Sequence, residues 1–333
     1  MTTKIPVLQI NQSAEQSSKA PSITLLSLLA MIGAIVALAL AAIFIKLSER
    51  ELGPFATIFN RFWIAYLVLR VWHEAEVWRS ASKEAIEVPA DTSTRKDQLL
   101  LAAAALMFWG CIAFWAWSLT QTGVANSTLL HNLTPLFTTL GGWLILDQRF
   151  DRRFLLGLVV ALVGASVLGF GDLQISAAHL TGDLAALFSA LFSAANLMLI
   201  EKLRAKFSVT TILLRCCFLG AVLTLPITLL TEERLFPVSA SGWLAVIGLA
   251  VVCQVLGQGL QAFSLKKLSS SLVGVLLLLD PVLAALIAWV VFAEGLTLTK
   301  WIAFLVVLLG VYLAKSSDGA THDPNNGLGN SAQ

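Results

Sequence analysis

The chain reads as an all-α integral membrane protein of ten transmembrane helices, arranged as two inverted five-helix repeats. Three observations predict this class. Composition is the first: 57% of the 333 residues are hydrophobic and 13% charged, with a mean hydropathy of +0.82, too little polar surface to cover a water-soluble globule. The second is run length, because a hydrocarbon layer about 30 Å thick takes about 20 helical residues and the sequence offers ten runs near that length. The third is internal repetition. Thr57, Ile58 and Arg61 recur 154 positions on as Thr211, Ile212 and Arg215, and Ser118, Leu133, Pro135, Trp143 and Gly164 recur 146 positions on as Ser264, Leu279, Pro281, Trp289 and Gly310.

In chain order, the first run is Ile23 to Ile45, which follows a polar tail (1–22) and is longer than the core of a secretory signal. Pro54 to Trp72 carries Asn60 and Arg61. Gln98 to Ser118 contains the continuous stretch Leu99 to Leu106, which argues against the alternating pattern of a barrel. Val124 to Ile145 contains His131, Asn132 and Pro135, and Phe154 to Phe170 closes a first repeat spanning 23–170. The second repeat, 171–314, holds Gly182 to Ile200, Val209 to Leu230 with Arg215, Gly242 to Leu265, Ser269 to Phe292 with Asp280 and Pro281, and Leu296 to Ala314, which Lys300 interrupts. The two repeat offsets differ by eight, which places an insertion in the polar stretch His73 to Asp97. A second tail, 315–333, is polar like the first, and both are expected to be disordered.

Sixteen of the 22 Lys and Arg fall on one side of this arrangement and four on the other, so both termini are expected in the cytoplasm of an inner or plasma membrane. Five spans per repeat is an odd number, so the two repeats run through the membrane in opposite directions. Such inverted pairs move between two related packings, and alternating access of a central cavity follows. The four cysteines, Cys111, Cys216, Cys217 and Cys253, sit in apolar spans without disulfide or metal spacing. No nucleic-acid partner, metal or cofactor is expected. There is no phosphate-binding Gly-rich loop, no His-Glu-x-x-His and no Gly-x-Ser-x-Gly, so no enzyme chemistry is predicted.

The strings Gly53-Pro54-Phe55-Ala56-Thr57-Ile58-Phe59-Asn60-Arg61-Phe62, Thr134-Pro135-Leu136-Phe137 and Asp280-Pro281-Val282-Leu283, with Gln148 and Glu294 after spans four and nine, resemble the EamA repeat of the drug/metabolite transporter superfamily. The resemblance covers about Ile23 to Ala314. It implies ten helices in two inverted repeats, a central cavity and secondary transport of a small polar or amphipathic metabolite or drug, commonly export. The superfamily usually places a Glu after the fourth span, where this chain has Gln148, so any role of that acid carries over to Glu294 alone. An importer or exchanger of the same fold is the alternative within transport; a membrane interaction or sensory protein is the alternative outside it.

Polar groups inside apolar spans are costly unless they face a partner or a wet cavity, so the functional candidates lie there. Asn60, Arg61, His131, Asn132, Arg215, Gln254, Gln258, Gln261 and Trp115 are the cavity candidates. For Arg61 and Arg215, substrate binding and structural tying are equally open. Gln254, Gln258 and Gln261 share one helix face by their i, i+4, i+7 spacing; their counterparts in the first repeat are Phe108, Ile112 and Trp115, giving one amide wall and one aromatic wall. Ser189, Ser193 and Asn196 have the same spacing and read as a helix contact. Asp280, the one acid deep in a span, and His131 are the candidates for proton coupling. A buried bridge from Asp280 to Arg61 or Arg215 is the competing structural account. Pro135 and Pro281 are expected to loosen their helices and free backbone carbonyls. The expected partners are a small solute and the lipid bilayer, with the protein a monomer or homodimer.

Overall fold

The computed structural model describes residues 25–81, 94–146, 148–169, 179–292 and 297–317. The tail 1–22, most of the tail 315–333, the middle of the His73 to Asp97 insertion and Glu294 lie outside the described residues. The described regular elements are helices: α1 (Leu25–Ser48), α2 (Pro54–Ala81), α3 (Arg95–Gln121), α4 (Val124–His131), α5 (Thr134–Ile145), α6 (Arg152–Gly169), α7 (Leu180–Leu203), α8 (Val209–Thr231), α9 (Ala240–Ser264), α10 (Ser270–Leu277), α11 (Leu279–Phe292) and α12 (Leu298–Lys315). Among them α1, α3, α7, α8, α9, α12 and the stretch Ser270–Ile287 are long and apolar enough to cross a bilayer. The chain is therefore an all-α membrane protein.

Short polar residues start the helices. Thr94 and Asp97 form a reciprocal capping box at α3, and Ser208, Ser239, Ser269 and Thr297 each accept a backbone N–H of the first turn of α8, α9, α10 and α12. Asp151 does the same for α6, accepting from Phe154 N at 2.9 Å. These bonds satisfy donors that neither lipid nor the helix itself can reach. Two helices are interrupted just ahead of their prolines: α4 ends at His131 and α5 begins at Thr134, while α10 ends at Leu277 and α11 begins at Leu279. At the first interruption Thr134 Oγ1 donates to the carbonyl of His131 at 2.8 Å, which supplies a side-chain donor to the i−4 carbonyl that Pro135 has no N–H to meet. Within α9 the stretch Leu249–Gly257 is wound as a π-helix.

The two halves pack reciprocally. Helix α3 lies on α7 and α8, α2 lies on α8 and on the π stretch of α9, α5 lies on α7 and α10, and α6 lies on α12. The last pair is backbone to backbone. A Cβ added at Gly157 would sit 2.4 Å from Ala314 N and 2.6 Å from Gly310 O, one at Gly164 2.8 Å from Val307 N and 3.1 Å from Ala303 O, and one at Gly310 2.3 Å from Ala161 N. As residue number rises along α6 it falls along α12, so these repeat-equivalent helices are antiparallel. Small residues allow this approach, which replaces the hydrophobic driving force that lipid cannot supply.

Candidate functional site

Arg61 lies two turns into α2 with 9% of its surface exposed. Its Nε donates to Gln254 Oε1 at 2.7 Å. Gln254 is fully buried in the π stretch of α9, and its Nε2 reaches Cys217 Sγ of α8 at 3.7 Å. Three thiols, Cys253, Cys217 and Cys111, are within electrostatic reach of the guanidinium, so helices of both repeats surround it. Its two terminal nitrogens have no partner among the described residues. The ion pairs there are Arg70 with Glu74 and Lys206 with Asp97, and neither involves Arg61.

Arg215, its counterpart 154 positions on, lies on the outside of the bundle, so the structure does not bring the two arginines to one site. Arg204 shows what a structural arginine looks like here, with Nε on Ala262 O at 3.0 Å and Nη1 on Phe207 O at 2.5 Å. Asn60, next to Arg61, is of that kind too. Its Nδ2 donates to Ala56 O and to Leu235 O at 2.8 and 2.7 Å, and its Oδ1 accepts from Trp63 Nε1 at 3.0 Å.

Asp280 stands in the first turn of α11, directly after the helix interruption. Its Oδ1 is buried without a hydrogen-bond partner among the described residues, and so is Gln261 Oε1. Asp280 makes no ion pair with Arg61 or Arg215 in this structure. It is within electrostatic reach of Cys253, the residue before Gln254, so one segment of α9 faces both Arg61 and Asp280. His131, at the other interruption, meets Ser189 Oγ through Nδ1 at 2.9 Å and faces Trp115 at a ring separation of 6.4 Å. Asn132 follows α4 as its C-terminal cap, and Gln258 is half-buried. The proposed aromatic wall is only partly one: Phe108 is buried against Phe62 at 5.7 Å, and Trp109 donates to Thr224 Oγ1 at 3.0 Å. The Ser stripe is a helix contact, with Ser189 Oγ on Cys111 O at 2.7 Å and Asn196 Nδ2 on Ala104 O at 2.9 Å.

Both ends of the bundle carry ties between the repeats that spacing along the chain does not reveal. At one end Glu232 accepts from Phe55 N and Ala56 N at the start of α2, at 2.6 and 3.0 Å. Glu51 accepts from Val238 N and Ser239 N at the start of α9, at 2.9 and 3.1 Å, and from Ser239 Oγ. Each glutamate thus caps a helix of the other repeat. Hydrogen bonds from the Ser239 hydroxyl, then from Ser239 N–H and Val238 N–H, hold the Glu51 carboxyl below its ordinary pKa. Glu51, Gly53, Glu232, Glu233 and Arg234 line a pocket of about 350 Å³ at this mouth. At the other end Glu201 accepts from Gln148 Nε2 at 3.1 Å and from Ser270 N at 2.8 Å, Ser271 Oγ donates to Gln148 Oε1 at 3.2 Å, and Lys206 pairs with Asp97. Gln148, where the repeat usually has Glu, here accepts from one partner and donates to another, which a carboxylate cannot do.

The EamA-like transporter family matches residues 25–170 and again 180–315. Two uncharacterized transporters of Archaeoglobus fulgidus are similar: one is 24% identical over 275 residues, covering 81% of this chain and 91% of its own, and one is 28% identical over 221 residues, covering 66% and 77%. A protein of known crystal structure superposes with a TM-score of 0.74 at 20% identity, covering 86% of this chain and 96% of its own; at that identity the likeness concerns the fold.

Proposed function

The chain belongs to the EamA-like transporter family, and from that premise we propose that it is a secondary transporter moving a small polar or amphipathic metabolite or drug by alternating access, in the direction of export. The observation that carries this reading is the buried guanidinium of Arg61, held through Nε by Gln254 and without a partner for its two terminal nitrogens among the described residues, where helices of both repeats meet. A charge left unpaired inside a bundle costs stability, and a solute that visits the site accounts for its retention.

The reading takes ten spans in two inverted repeats. It adds α2, the interrupted pair α4 and α5, and α6 to the seven strongly apolar stretches, with both termini cytoplasmic. The antiparallel seam of α6 and α12 supports the inversion. Alternating access requires that the ties at the two ends open in turn: Glu51 and Glu232 at one mouth, Gln148, Glu201 and Lys206 at the other. Side-chain ties of this kind exchange readily for water, whereas the small-residue seam between α6 and α12 stays packed and serves as the axis. Asp280 is the group proposed to carry the coupling proton, since its buried Oδ1 has no partner to hold it in one charge state.

The test is counterflow in proteoliposomes containing the purified protein, with pooled labelled solutes, at equal and at unequal pH across the membrane. Accumulation that responds to the pH gradient in the wild type, and no longer responds in Asp280→Asn at unchanged protein abundance, is expected. Full gradient-driven accumulation by the Asn variant would refute the coupling role.

A further inference from the structure

We propose that the transported solute carries an anionic group, a carboxylate or a phosphate monoester, that docks on the open fork of Arg61. This rests on the transport reading of the same site and adds the chemistry of the cargo.

A guanidinium presents five N–H donors. In Arg61 the Nε donor is taken by Gln254 Oε1, and that bond fixes the plane of the group because Gln254 is itself fully buried and anchored toward Cys217. The donors of the two terminal nitrogens remain, coplanar and parallel, without a partner among the described residues. Two parallel N–H groups at fixed spacing match the two oxygens of a carboxylate or of a phosphate, a geometry that a point charge such as Lys lacks.

The surroundings sharpen the choice. Besides Gln254, the titratable groups within electrostatic reach of the guanidinium among the described residues are thiols from three helices, Cys111, Cys217 and Cys253, which are weakly polar and bring no negative charge to compensate it. A cationic solute would meet an uncompensated positive charge in a low-dielectric site and be repelled. A neutral solute would leave the charge unpaired. An anion supplies the missing half of a bidentate pair, and the buried setting strengthens that pair relative to water. The comparison with Arg204, whose Nε and Nη1 both donate to backbone carbonyls, shows an arginine that serves as a tie binding the backbone through a terminal nitrogen as well.

The experiment uses the full chain in proteoliposomes with paired solute pools: sugar phosphates against the free sugars, hydroxy acids against polyols, and amino acids against amino alcohols. Uptake is expected for members of the acidic pools and not for their uncharged or cationic counterparts, and the individual pools separate carboxylate from phosphate. Arg61→Gln should lower that uptake about thirtyfold or more, the scale for removing one partner of a buried charge pair, with Arg61→Lys in between. The melting temperature of Arg61→Gln should stay level or rise, since the change removes an unpaired buried charge. Uptake confined to neutral or cationic solutes, acid uptake indifferent to Arg61→Gln, or a loss of folding in that variant that Arg61→Lys repairs without any preference for acids would each overturn anion docking while leaving transport intact. No uptake of any pool by protein with an intact melting profile would refute the transport reading itself.

Discussion

A single methyl group at Gly310 measures how tightly the two repeats are joined. In Gly310→Ala the added Cβ would lie 2.3 Å from Ala161 N and 2.7 Å from its Cα and Cβ. Non-bonded carbon atoms settle about 3.5–4.0 Å apart, so α6 and α12 have to separate by about 1 Å. The obstructing atoms belong to backbone and to an alanine, so no side-chain rotation relieves the clash. A gap of this width forfeits roughly a quarter to a half of each dispersion contact along the seam, where Ala161, Ala303, Val307 and Ala314 are essentially fully buried. Overpacking of this kind costs about 1–3 kcal/mol. Gly259→Ala is the control, because a Cβ there would meet Leu213 and Val209 at the ordinary distances of 3.8 and 3.9 Å, and replacing a helical Gly by Ala otherwise gains about 0.5–1 kcal/mol. The assay is reversible unfolding in mixed micelles against a rising fraction of denaturing detergent. The two variants should move the midpoint in opposite directions. Equal, small shifts would refute the backbone-to-backbone contact and with it the seam as the fixed axis of the bundle.

Three further outcomes follow from the ties at the mouths. Glu51 has a folded-state pKa below its unfolded value, so its stabilisation is complete above the unfolded value and drains as pH falls through the folded one; melting scans should show Glu51→Gln less stable than wild type at neutral pH, with the difference closing toward acid. Glu232→Ala removes the acceptor of two backbone N–H groups at the start of α2 and should cost about 1–2 kcal/mol in the same unfolding assay, much like loss of the Ser208 cap at the equivalent start of α8. Gly53→Ala drives a Cβ to 2.4 Å from the Glu232 carboxyl carbon, so it should destabilise wild type but add little in the Glu232→Ala background; additive costs in that double-mutant cycle would show that Gly53 acts by some other route.

The membrane class, the duplication and the approximate helix positions were legible in the sequence because they rest on composition and on periodicity within single segments. Arg61 and Arg215 show where that reasoning ends. They occupy equivalent places in equivalent strings, yet one is buried between helices and the other faces outward; which side of a helix meets a neighbour is decided by the whole bundle. The amide face of Gln254, Gln258 and Gln261 presumes a regular helical period, and the π winding of Leu249–Gly257 changes the turn on which Gln254 sits. The cross-repeat caps by Glu51 and Glu232 join residues more than 170 positions apart, and both acids lie in short loops where a solvated charge is the ordinary expectation. Asp280 stood out in advance, being the one acid deep in an apolar run, and its lack of an arginine partner became visible only once the helices were placed.

The seam of α6 and α12 also shows how the two halves differ at equivalent positions. Gly157 approaches Gly310 while Gly164 approaches Ala303, and Ala161 approaches Gly310 while Val307 approaches Gly164; each contact has a mirror in which the two partners have exchanged roles. In a single unit pairing with a copy of itself, any substitution on this surface would act at both mirrored contacts together. Joined in one polypeptide, the contacts can differ one from another, and the counterpart of Gly157 is Ala303 and that of Ala161 is Val307. A ladder built within one chain can thus carry a larger residue on one rail while keeping a glycine on the other.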